Sequence, residues 1–150
     1  MRILKEFFLR GRALLRGKCE PRVYVVSFPK SGRTWLRVLI GKAIFDRFRL
    51  SRKELILDTY KLTNLVGVHP TRLTHDDTAT MQGTTSDRLE SCKERYRGKR
   101  VLFVIREPRD VVVSCYFQAS KRERIYDGTI SEFLHDPKYG IKKVARFYKI

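Results

Sequence analysis

Long apolar runs are missing from this chain: nothing in it approaches the ~20 consecutive apolar residues that a membrane-crossing helix needs. The opening stretch MRILKEFFLRGRALLRGK is interrupted by charge every few positions, so it lacks the unbroken apolar segment of a secretory signal. These absences point to a soluble, cytoplasmic protein. Cysteine is scarce. Cys19, Cys92 and Cys115 are odd in number and widely spaced, which excludes a disulfide framework and a zinc pattern and leaves ordinary reduced thiols. Repeats and low-complexity segments are absent. Acidic residues are few, 16 against 33 Lys and Arg, for a formal charge of +17. That excess favours polyanionic partners such as nucleic acid, nucleotides, anionic polymers or acidic membrane surfaces, without choosing among them. Most of these cations simply form a solvated basic surface.

What is present suits one folded domain. The 150 residues are 42% hydrophobic, enough for a core. Residues 1–18 carry a rough helical stripe (Ile3, Leu4, Phe7, Phe8, Leu14, Leu15) with a basic opposite face, read as a basic extension or helix over 1–20 ahead of a domain at 21–150. RVYVVSF at 22–28 is β-branched and aromatic, a buried strand. Leu36, Leu39, Ile40, Ala43 and Ile44 share one helical face between 32 and 47. SRKELILDTYKL starts a short helix, and GVHPTRLTHDDTAT is a loop with a short strand ending near Thr74. A polar helix is expected over 86–97, then the clearest strand, RVLFVI at 100–105, then a helix from REPRD to about Ala119. TISE at 129–132 has the spacing of a capping box, and Asp136-Pro137 reads as the cap of a last helix carrying Val144, Phe147 and Tyr148. Strands alternating with helices, two of the strands nearly all apolar, predict an α/β parallel sheet covered on both faces. In such sheets ligands sit at the carboxyl ends of strands, where the turns after Phe28 and Ile105 both fall.

In the first turn, PKSGRTW, Gly32 lets backbone approach a ligand. The NH groups of residues 31–34 open a helix, Ser31 and Thr34 add hydroxyls, and Lys30 adds a mobile charge. This is a phosphate or sulfate cradle. It is not the triphosphate loop G-x-x-x-x-G-K-[ST], and no acidic strand end is evident to hold magnesium, so no metal is expected. In the second, VIREPRDVVVSCYF, Arg106 ends a strand and Ser114 follows on the next helix; together they can grip one anion, Arg106 in bidentate fashion. Structurally, Arg106 could instead pair with Glu107 or Asp110. Read jointly, the two turns suggest a ligand with two anionic ends.

Here the sequence resembles a known family. PKSGRTW resembles the P-K-S-G-T-T-W loop of sulfotransferases that use 3′-phosphoadenosine 5′-phosphosulfate (PAPS). REPRDVVVS resembles that family's R-N-P-x-D-V-x-V-S segment, and GTISEFL its G-T-F-x-E-F-L element. The resemblance runs from Val23 to about Leu134 and is nearest to small bacterial and cytosolic members. It implies a three-layer α/β fold, a parallel sheet flanked by helices, related to the P-loop NTPases and here partial. It implies sulfuryl transfer from PAPS to an acceptor hydroxyl or amine, with 3′,5′-bisphosphate (PAP) released. Lys30, Ser31, Gly32, Arg33 and Thr34 would hold the 5′-phosphosulfate, Trp35 would stack near the adenine or join the core, and Arg106 and Ser114 would bind the 3′-phosphate. RLTHDD resembles the family's T-H-D-D position, which makes His75 the expected general base, with His69 the fallback and Asp76 either orienting the imidazole or capping the next turn. Lys30 would neutralise charge on the leaving phosphate.

Three departures stand out. Arg33 replaces the family's usual threonine, Leu73 replaces a lysine, and the family's closing R-K-G-x-x-G segment has no counterpart, which reads as a truncated chain or a short member with doubtful activity alone. The acceptor is expected to be a small molecule or a glycolipid, with membrane-surface contact through the basic N-terminus and no specific nucleic acid. Rival readings are a kinase-like phosphotransferase, a basic nucleic-acid-binding module and a non-catalytic nucleotide-binding remnant.

Overall fold

The computed structural model describes residues 20–50, 56–76, 78 and 84–149. The expected N-terminal stripe, Cys19 and the start of SRKELILDTYKL lie outside these residues. The described chain is α/β, a three-stranded parallel sheet with flanking helices. Strand β1 (Val23–Ser27) is central, between β2 (Thr71–Thr74) and β3 (Arg100–Val104). The register aligns the strand starts: the Arg22 and Val23 amides donate to the Pro70 carbonyl (2.9 and 3.2 Å), and the Arg100 amide donates to the Arg22 carbonyl (3.0 Å). All three strands therefore deliver their carboxyl ends, and the turns that follow, to one edge.

Two compact units divide the chain, and each strand contributes its first residues to one and its last to the other. The first unit holds α1 (Arg33–Phe48) and α2 (Thr59–Val66) with the strand starts. Leu62, Val66 and Phe45 are buried in it. Asp58 caps α2 by accepting from the Lys61 amide (3.0 Å), and the Thr63 hydroxyl ties α2 to β2 by accepting from the Thr71 amide (3.0 Å). Gly41 lets α1 meet the segment before α2, since a Cβ there would overlap the Ile56 carbonyl.

The second unit holds the strand ends and α3 (Pro108–Phe117), α4 (Ile130–His135) and α5 (Ile141–Lys149). Val111, Val112, Cys115, Phe133, Val144 and Phe147 form its core. Phe147 meets Phe28 and Phe103 at 5.4 and 5.5 Å, and Phe133 is ringed by Tyr126, Tyr139 and Tyr116 at 4.9–5.5 Å, spacings suited to aromatic pairing. Pro108 opens α3 and the Thr129–Glu132 capping box opens α4, both as the sequence predicts.

Four expectations are corrected. β3 is not covered on both faces: Val101, Leu102 and Phe103 are all more than 40% exposed, and the strand stands at the edge of the described sheet. The polar helix over 86–97 is two single 3-10 turns, Ser86–Arg88 and Glu94–Tyr96, since its side chains have no apolar stripe to bury. Asp136 caps a turn, not a helix: its Oδ1 accepts from the Lys138 and Tyr139 amides (2.7 and 3.1 Å), and α5 begins only at Ile141. The helix after REPRD passes at Phe117 into a π turn, Gln118–Arg122. No helix among the described residues is long and apolar enough to cross a membrane.

Candidate functional site

β1 ends at Ser27, which is fully buried, and Phe28 and Ser31 are buried just beyond it. The chain then reverses through two left-handed residues, Lys30 (φ 67°) and Gly32 (φ 95°). Glycine adopts that conformation without penalty; lysine does so only when its surroundings impose it. The Ser31 amide donates to the Phe28 carbonyl (3.3 Å), which closes the turn, and open space surrounds the place where a Gly32 Cβ would stand.

Arg106, just past β3, reaches this turn. Its guanidinium donates to the Lys30 carbonyl (3.3 Å) and also lies 3.4 Å from Asp110 on α3. Tyr148 of α5 locks the two turns together. Its hydroxyl donates to the Arg106 carbonyl (2.9 Å), accepts from the Arg106 amide (3.1 Å) and lies 3.4 Å from the Ser31 hydroxyl. Ser114 is half-buried on α3, one turn beyond Asp110 and on the same helix face, so the arginine and the serine flank one stretch of helix.

The Lys30 ammonium is held by the Gln118 side-chain oxygen (2.8 Å), whose amide in turn donates to Glu123. This relay sits where α3 passes into the π turn: the Gln118 backbone amide still donates to the Ser114 carbonyl of α3, and its own carbonyl accepts from the Glu123 amide (2.8 Å). Two buried neighbours report the local charge. Burial pushes the Cys115 thiol up to about 11 although the charges of Lys30 and Lys143 pull it down, and burial lowers the ammonium of Lys143.

His75 follows β2 directly. Its Nδ1 lies 2.9 Å from the Ser27 carbonyl, which can only accept, so Nδ1 carries the hydrogen and the basic lone pair of the neutral ring is at Nε2. The imidazole is thus anchored to the last residue of β1, at the root of the Lys30 turn. Asp76 does not orient it. That carboxylate turns away, with the backbone at φ 50°, to Lys93 (2.6 Å), the Tyr96 hydroxyl (2.7 Å) and Arg95 (3.4 Å). Burial alone would raise the Asp76 carboxyl, but the hydrogen bonds and charges of these partners win and hold it below the usual carboxylate range. His69 stands at the other end of β2, two residues before its start, among residues of the first unit.

Arg33, Thr34 and Trp35 form the first turn of α1 in the first unit. Trp35 is 77% exposed and is no core aromatic. Burial, and then the charge of Arg37 one turn on, pushes Arg33 down to about 10. A cation on the opening turn of a helix, with no acidic residue beside it, is unfavourable until an anion joins it.

Lys30, Ser31, Gly32, Arg106 and His75 are thus brought to one edge of the second unit. Tyr148 and Gln118 belong with them and carry no sequence signal of that role: Tyr148 reads as one more position of an amphipathic stripe, and Gln118 as the end of a helix. Among the described residues no cluster of three or more His, Cys, Asp or Glu could hold a metal ion. No family model matches the chain, and neither the curated proteins nor the solved structures contain a match.

Proposed function

We propose that the chain binds PAPS and transfers its sulfuryl group to an acceptor hydroxyl or amine, on a partial P-loop-like sulfotransferase fold. The observation that carries this reading is the convergence of two basic turns on one point, Arg106 donating to the Lys30 carbonyl and Tyr148 bridging Ser31 to Arg106. The residues suit a doubly anionic nucleotide: Gly32 leaves open space, the backbone is held left-handed at Lys30, and the Ser27 hydroxyl is buried without a partner. Lys30, Ser31 and Gly32 would hold the phosphosulfate end, and Arg106 and Ser114 the 3′-phosphate. The bound nucleotide supplies an activated sulfuryl group on a phosphate leaving group.

This chain's residues do the rest. The Lys30 ammonium exchanges the neutral Gln118 oxygen for the phosphate and offsets its charge, an attraction of about 4 kcal/mol near 4 Å at an effective dielectric of 20. Nε2 of His75 takes the proton of the acceptor, while the Ser27 carbonyl steadies the imidazolium through Nδ1. Radiolabelled sulfuryl transfer from PAPS to a panel of phenols, glycolipids and amines tests the reading. His75→Ala is expected to lower turnover by about 10²–10⁴-fold with PAP binding intact, and Lys30→Ala to depress turnover more than binding. Equal loss of both on Lys30→Ala would remove the leaving-group role; unchanged turnover in His75→Ala would remove the base.

A further inference from the structure

A cleft lies wholly within the first unit, at the starts of the strands. It encloses about 650 Å³, within the ~300–1,000 Å³ typical of small-molecule sites. Its charged and polar walls are Glu20, Arg22, Asn64, His69 and Lys99. These residues come from four separate segments: the lead into β1, the end of α2, the lead into β2 and the lead into β3. The backbone beneath is fixed by the strand-start hydrogen bonds of Arg22 to Pro70 and of Arg100 to Arg22. The cleft is therefore a product of the register.

The protein displays the recognition chemistry of this cleft with its own carboxylate. The Glu20 side chain is 86% exposed, yet its carboxylate accepts from the Lys99 ammonium at 3.0 Å, and the Lys99 side chain is only 26% exposed. A solvated glutamate gains little from such a pair, and it is tethered only through its own side chain. Arg22 beside it offers a planar fork suited to a second oxyanion edge. Asn64 can bond an uncharged hydroxyl or amide. The Thr63 and Asn64 carbonyls near the end of α2 are capped by the amides of Val68 and Gly67.

We infer that this cleft binds a small molecule bearing a phosphate or carboxylate group on an uncharged polar body, with its oxyanion displacing Glu20 from Lys99. The inference is independent of the sulfotransferase reading: of that reading's residues, His69, its fallback base, lines this cleft, and Lys30, His75, Arg106 and Ser114 do not. The test is amide-resolved NMR titration of the whole chain with glycerol 3-phosphate and, separately, gluconate, each one anionic group on a hydroxylated body, which distinguish a phosphate from a carboxylate ligand. Saturable shifts of the Glu20, Arg22, Gly67 and Lys99 amides are expected with at least one probe. Glu20→Gln, which frees Lys99, should tighten that binding about two- to fivefold, and Lys99→Ala should abolish it. Glu94→Gln raises the net charge equally at an exposed pair with Arg97 outside the cleft lining and should not tighten binding at these amides. Shifts spread over the basic surface, or equal tightening by Glu20→Gln and Glu94→Gln, would overturn the inference.

Discussion

Replacing Asp76 with asparagine keeps the side-chain shape and an acceptor for the Tyr96 hydroxyl, and removes only the charge. In the folded chain that charge is 4% exposed and faces Lys93 at 2.6 Å and Arg95 at 3.4 Å. Cutting one member from a fully buried ion pair costs about 3–5 kcal/mol. Here both cations reach water, at 25% and 43% exposure, so they rehydrate when abandoned. The loss then approaches that of charge-assisted hydrogen bonds, about 2 kcal/mol. Asparagine also tolerates the left-handed backbone (φ 50°); Asp76→Ala does not, and should lose about 1–2 kcal/mol more. The pH dependence fixes the sign. The folded carboxyl is held below its ordinary value, so its contribution is complete above about pH 4 and disappears as pH falls through the folded value. Urea unfolding of parent and Asp76→Asn should therefore differ at about pH 7 and draw together as pH falls through the folded value below about pH 4. A gap that keeps its size as pH falls, or none at neutral pH, would refute the reasoning.

Other outcomes follow from single positions. Gly32→Ala should cost about 1 kcal/mol by thermal unfolding and weaken anion binding, because its backbone is left-handed although the space around it is empty. Tyr148→Phe hands the exposed Arg106 amide and carbonyl to water and should lower stability by about 0.5–1.5 kcal/mol while loosening nucleotide binding, read by calorimetry. Gly41→Ala drives a Cβ into the Ile56 carbonyl and should destabilise far more than an ordinary glycine replacement in a helix. In a variant with Cys19 and Cys92 changed to serine, Cys115 should resist thiol reagents until the chain unfolds, since burial raises its thiol to about 11.

Much of this was legible in the sequence because it is local. β-branched VYVVS, Pro108 ahead of α3 and the Thr129–Glu132 spacing act within a turn of themselves, and each gave the expected element. The exposure of β3 was not legible, because an apolar composition reports what a strand is fit for and not what covers its faces. The partners of the site residues were long-range for the same reason. Ser31 meets Tyr148 across 117 residues, and the anchor of His75 is a backbone carbonyl 48 residues away, which any residue would supply. Asp76, adjacent in sequence to His75, was the natural orienting candidate; the left-handed backbone at that position turns its carboxylate to Lys93 and Tyr96 instead.

The most direct measurement is calorimetric titration of the chain with PAP, with ATP as competitor and Arg106→Ala beside the parent. The proposed site is expected to give saturable PAP binding that ATP does not match, and Arg106→Ala should lose it by removing both the 3′-phosphate contact and the bond to the Lys30 carbonyl. ATP binding as tightly as PAP, or Arg106→Ala binding PAP as the parent does, would contradict the assignment of these two turns to one PAPS site.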